Sequence, residues 1–80
     1  MATINVTYDG RSADFPVEIE IDVDADDIKR IAVEMIRSGG VPGLHIADLR
    51  EDALENYVVD RFPDQQRIYI RPKVPFGTSA

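Results

Sequence analysis

The chain predicts an α+β fold in which one amphipathic helix packs across a four-stranded mixed sheet. Three features carry that expectation. Apolar and polar residues alternate near the N-terminus, again over residues 15–23 and again over residues 67–71, with the period of two that marks half-buried strands. One apolar stripe with a period near 3.6 runs through residues 28–36. The pairs Asp9-Gly10, Gly39-Gly40 and Pro63-Asp64 punctuate these stretches as turn or stop signals.

Taken in order, Ile4, Val6 and Tyr8 alternate with Thr3, Asn5 and Thr7 and form a first strand. Asp9-Gly10 tolerates the positive φ values of a tight hairpin, so the chain should fold back there. Phe15, Val17, Ile19, Ile21 and Val23 alternate with Pro16, Glu18, Glu20 and Asp22, which predicts a second strand with one apolar and one acidic face. Pro16 has no N–H to donate and belongs at an edge or bulge. Asp24, Asp26 and Asp27 precede the helical pattern, where carboxylates cap free N–H groups and meet the positive end of the helix dipole. Ile28, Ile31, Ala32, Met35 and Ile36 fall at i, i+3, i+4, i+7 and i+8. Ile31 lies within this stripe, and its truncation to Ala should cost about 2–5 kcal/mol. Gly39-Gly40 stops the helix and Pro42 keeps it from resuming.

Residues 41–62 read less cleanly. "VPGLHI" has the composition of a loop, and "ADLREDALENY" suits a short helix capped by Asp48 with Leu49, Ala53 and Leu54 turned inward. A longer helix through Val58 and Phe62 also fits the period. The β-forming residues of "NYVVDRF", followed by Pro63-Asp64, favour a strand over that extension. Arg67, Tyr69 and Arg71 then alternate with Ile68 and Ile70 as the last strand, stopped or forced to an edge by Pro72 and Pro75.

An 80-residue chain holds one core, expected over residues 1–76 with residues 77–80 as a flexible tail. The balance of 44% hydrophobic and 30% charged residues is that of a folded soluble domain. "MATINVTYDG" lacks the basic start and apolar stretch of a secretory signal, so a cytoplasmic setting is expected. With no cysteine there can be neither disulfide nor thiolate chemistry. A formal charge of −6 argues against phosphate backbones as partners, and no apolar run is long enough for a membrane span.

The opening hairpin, the helix carrying Ile28, Ile31 and Ile36, the following loop "GGVPGL" and the closing "QQRIYI" together resemble the ubiquitin-like β-grasp superfamily over nearly the whole chain. The resemblance is one of architecture and carries no diagnostic motif. It implies a sheet in which the first strand lies between the second and the last. Carriers of this superfamily end in Gly-Gly, and the resemblance makes Gly77 a possible carrier terminus after removal of Thr78, Ser79 and Ala80. Here Gly77 is single and follows Phe76, which departs from the carrier pattern where the chemistry resides.

No residue cluster in the sequence meets the requirements of a catalytic site, so no enzyme activity, cofactor or metal is expected. His45 is the only histidine, and with Asp48 alone nearby it makes a weak metal signal. The carboxylates are accounted for by a wet strand face and by helix capping. Charge is nevertheless unevenly distributed. Residues 9–27 hold eight carboxylates and one Arg, whereas Arg61, Arg67, Arg71 and Lys73 near the other end meet one Asp. On the expected sheet the outer face would run from Glu18, Glu20 and Asp22 across Thr3, Asn5 and Thr7 to Arg67, Tyr69, Arg71 and Lys73. The expected function is a noncatalytic protein-interaction module that docks through Arg67, Tyr69, Arg71 and Lys73. The alternatives are a carrier matured at Gly77 and an acidic inhibitor of a basic enzyme site acting through residues 14–27.

Overall fold

A computed structural model describes residues 1–73, and within them the chain forms β1 (Ala2–Tyr8), β2 (Arg11–Val17), α1 (Ala25–Ser38), β3 (Val58–Phe62) and β4 (Arg67–Arg71). The strands make one mixed sheet in the order β2-β1-β4-β3. β1 pairs antiparallel with β2 and parallel with β4, and β3 pairs antiparallel with β4. The α+β class is as the sequence predicts, and the first strand lies between the second and the last, as the β-grasp resemblance implies.

Asp9 and Gly10 have φ of 51° and 77°, so both central residues of the first turn are left-handed and Tyr8 directly faces Arg11. This is the turn geometry whose twist matches that of the flanking strands. The second strand therefore starts earlier than its apolar alternation suggests. It also ends earlier, at Val17, which faces Ala2, the first residue of β1. Residues 18–24 keep the alternation without a ladder: Ile19, Ile21 and Val23 stay half-buried against the core while Glu18, Glu20 and Asp22 point to solvent. Local bonds from Ile19 N to Val17 O (3.0 Å) and from Val23 N to Glu20 O (3.2 Å) shape this segment. Burial alternates wherever a chain lies on a core, whether or not a partner strand is present, so the pattern alone overstated the strand.

α1 begins where the carboxylates predict. The Asp24 side chain accepts a bond from Asp26 N at 3.1 Å, and Gly39 ends the helix at φ 84° with its N–H on Met35 O. Its buried face is rotated from the expected stripe. Ile28, Ala32, Val33 and Ile36 are the buried residues, whereas Ile31 is only half-buried and does not pack on the core cluster. The cause is residues 41–57, which keep the expected loop over 41–46, form turns in place of the expected short helix over 47–57, and bury Val41, Leu44, Leu49 and Leu54. These residues lie along the Val33 flank, where Lys29 Nζ donates to Glu55 O at 2.9 Å and Val33 shares a hollow with Glu51. The turns close through i to i+3 bonds at Ala53, Glu55 and Tyr57, which satisfies backbone groups without a continuous helix. The strand reading of "NYVVDRF" holds for Val58–Phe62.

The core lies between α1 and one face of the sheet. Ile4, Val6, Ile28, Ala32, Ile36, Ile68 and Ile70 are each 0% exposed. Phe15 and the aliphatics of residues 41–57 close its sides. Ile36→Ala should destabilise the domain by about 2–5 kcal/mol, because it opens a cavity at full burial. Ile31→Ala should lose under half as much, and a denaturant titration of both variants checks the rotated helix face.

Tyr57 stacks on Tyr8 with centroids 6.2 Å apart. Burial first, then the neighbouring Tyr8 and Asp9, push its phenol above the ordinary value. Folding thus favours the neutral phenol, and its contribution is intact at neutral pH and lost as pH rises through the raised folded value. Stability measured across the alkaline range should fall less steeply for Tyr57→Phe than for the parent.

Candidate protein-docking face

Because α1 covers one face of the sheet, alternate residues of all four strands form an opposite face without a covering layer among the described residues. β1 contributes Thr3, Asn5 and Thr7, β4 contributes Arg67, Tyr69 and Arg71, and the register sets Ser12, Asp14 and Pro16 of β2 and Val58, Asp60 and Phe62 of β3 beside them. The acidic margin therefore consists of Asp14. Glu18, Glu20 and Asp22 lie beyond the end of β2 and do not belong to the sheet face, contrary to the sequence expectation.

The half of the face nearest β2 is tied together by polar side chains. Thr7 Oγ1 donates to Ser12 Oγ at 3.3 Å, and Ser12 Oγ donates to Asn5 Oδ1 at 3.2 Å. Asn5 Nδ2 and Arg67 Nη2 both donate to Asp14 Oδ1, at 2.7 and 3.0 Å. Arg67 then links this chain to the next element of the face, because its Nε donates to Tyr69 Oη at 3.1 Å. The hydrogen bond to the Tyr69 hydroxyl is the main cause that holds the Arg67 guanidinium still more firmly protonated than usual, and against an opposing desolvation Asp14 adds a smaller push in the same direction.

The half nearest β3 differs in character. The Arg71 guanidinium carbon stands 4.6 Å from the Tyr69 ring centroid and that of Arg67 stands 5.3 Å away, so two cations approach one aromatic ring. Phe62 meets Tyr69 edge to face at 5.3 Å and 83°. Phe62 is nevertheless 42% exposed and Val58 41%, and with Met1 they are the large exposed hydrophobics among the described residues. Arg71 forms no ion pair among the described residues.

Of the docking residues expected from sequence, Arg67, Tyr69 and Arg71 come together as one cluster, and Lys73 lies past the end of β4 as an exposed residue. Gly77 lies outside the described residues. Phe62, Val58 and Asp60 were not expected on this face. Their period of two is visible once β3 is a strand, but hydropathy gives the wrong phase, because apolar Val58 and Phe62 lie on the open face while Arg61, itself exposed, lies on the helix side of the ladder opposite Ile68. Arg61 Nη2 donates to Val23 O at 2.6 Å, which explains a cation on the covered side.

The other sequence candidates resolve into structural roles. His45 Nε2 donates to Arg37 O at 3.1 Å, and Ile46 N donates to Ile36 O at 3.2 Å, so the loop after α1 satisfies two carbonyls at its C-terminus. Asp24 is a cap and Asp27 pairs with Arg30 at 3.1 Å. Among the described residues no three metal-ligating side chains converge. Two surface hollows, one of about 420 Å³ beside Met1, Glu18, Ile19 and Glu20 and one of about 230 Å³ beside Arg30, Val33, Glu34 and Glu51, are lined by none of the Tyr69 cluster. No described helix is long and apolar enough to cross a membrane.

Compared with known proteins, the chain matches no family model, no curated protein and no solved structure. The assignment of a role therefore rests on the face itself.

Asp14 accepts two side-chain bonds at an exposed site, and Asp14→Ala should lower stability by under about 1 kcal/mol. The same variant should loosen Arg67, which side-chain NMR of its Nε would detect as faster exchange with water.

Proposed function

We propose that this chain is a noncatalytic protein-interaction module of ubiquitin-like β-grasp type that docks a protein partner through the β4–β3 half of its open sheet face. The supporting observation is the cluster of Tyr69, Phe62 and Val58 framed by Arg67 and Arg71. Aromatic and Arg side chains supply most of the energy in protein interfaces, and here two exposed apolar side chains flank an aromatic ring already packed in place. The order β2-β1-β4-β3 with one crossing helix supports the superfamily reading, since a parallel pair of first and last strands between two antiparallel neighbours is that arrangement.

The role of each residue follows from its surroundings. Tyr69 and Phe62 offer apolar surface whose ordering entropy is already spent on their mutual contact. Arg71, which makes no ion pair among the described residues, can meet a partner carboxylate, while Arg67 is engaged by Asp14 and Tyr69 and acts to hold the ring. The polar chain through Asn5 and Asp14 would form a wet rim.

Arg71→Glu should weaken binding of a partner captured from cells that make this chain by more than about 1 kcal/mol with the melting temperature little changed, and Phe62→Ala should weaken it as much while also losing its edge contact with Tyr69. Tyr69→Ala should weaken binding as much and also cost some stability, because the ring is packed. Ser12→Ala, on the polar half, should bind as the parent does. Equal binding by parent, Phe62→Ala and Arg71→Glu in a calorimetric titration would remove this face from consideration.

A further inference from the structure

The two edges of the sheet are not alike. β2 carries Pro16, which has no N–H, and shows exposed Arg11, Ser12 and Asp14. It is protected in the manner of natural edge strands. β3 is the other edge, and among the described residues no strand pairs with its outer side. About every second residue of such a strand directs its N–H and C=O away from the sheet. Along its outer face β3 presents Val58, Asp60 and Phe62, apolar, acidic, apolar, and both apolar members are exposed. Asp60 is half-buried, faces Tyr69 across the ladder and forms no ion pair among the described residues. Arg67 and Arg71 flank it diagonally on β4 but lean over the Tyr69 ring.

We infer that β3 accepts an extended segment of a protein partner as a fifth strand, and that this segment carries a basic side chain opposite Asp60 between apolar side chains opposite Val58 and Phe62. This deepens the docking reading and rests on it. Opposite charges directly across a ladder attract and like charges repel, so Asp60 selects the charge of the residue that faces it. The net charge of −6 steers basic partners in the same sense. A second copy of this chain is the wrong occupant. Two-fold antiparallel pairing of β3 with itself in full overlap sets Asp60 against Asp60. Shifting the centre to residue 61 sets Arg61 against Arg61, and shifting it to residue 59 leaves Asp60 against Val58 over a shortened overlap.

The test uses the full chain, labelled with nitrogen-15 and titrated with the capped peptide Thr-Val-Thr-Lys-Thr-Val-Thr and with its analogue bearing Glu in place of Lys. The Lys peptide should shift and slow the exchange of amides in Val58–Phe62, and should bind about fivefold or more tightly than the Glu peptide. Asp60→Lys should reverse that preference and Asp60→Asn should flatten it, which separates charge selection from any loss of folding. Slowed exchange absent from β3, a preference unchanged by Asp60→Lys, or self-association of the parent abolished by Asp60→Lys would each overturn strand addition. Peptide-induced shifts at Phe62, Tyr69 and Arg71 without amide protection in β3 would also overturn it while leaving the docking face standing. Loss of both, by contrast, would show as normal partner binding by Phe62→Ala and Arg71→Glu.

Discussion

The parallel pairing of β1 with β4 is the constraint on which the rest of the molecule depends. It sets Ile4 beside Ile68 and Val6 beside Ile70, all four fully buried, and joins the first strand of the chain to the last. Neither strand could bury its apolar side alone, and a parallel pair requires a crossover between them. α1 lies within that crossover and supplies Ile28, Ala32 and Ile36 as the covering layer. The contact spans nearly the whole chain, so its loop-closure entropy must be offset by burial gathered from every element at once. In a domain this small, a core shared by all the elements is what makes the fold cooperative.

Residues 39–57 show how a chain with little regular structure still contributes to a core. Val41, Leu44, Leu49 and Leu54 are buried, while the backbone that carries them turns through local bonds and seals the C-terminus of α1. His45 and Ile46 serve the last helical carbonyls, and Lys29 Nζ donates from the helix to Glu55 O. The apolar anchors fix the loop, and the loop in turn decides which flank of the helix is covered.

Covering one side of a four-stranded sheet with a single helix leaves the other side without a covering layer among the described residues, and the composition of that side is a consequence of register. Asn5, Asp14, Arg67 and Tyr69 come from three strands, yet they form one hydrogen-bonded chain because β1 stands between β2 and β4. Where that chain ends, at Tyr69, the face turns apolar toward β3. A polar half that satisfies itself thus adjoins an apolar half in which Val58 and Phe62 stay exposed.

The α+β class, the Asp9-Gly10 hairpin, both ends of α1 and the inward and outward faces of β1 and β4 are legible in the residues alone, because each depends on local chemistry: left-handed φ, capping and strict alternation. Arg67, Tyr69 and Arg71 were legible as an outward set for the same reason. The end of β2 was settled by long-range pairing, since Ile19, Ile21 and Val23 keep the alternation of a strand yet pair with no strand among the described residues. The tertiary structure also decided that the helix buries Val33 in preference to Ile31, because residues 41–57 cover that flank. The phase of β3 was likewise beyond the sequence. Its apolar Val58 and Phe62 face solvent and Arg61 faces the helix side, an inversion set by the ladder with β4 and by a carbonyl at Val23 that receives the guanidinium.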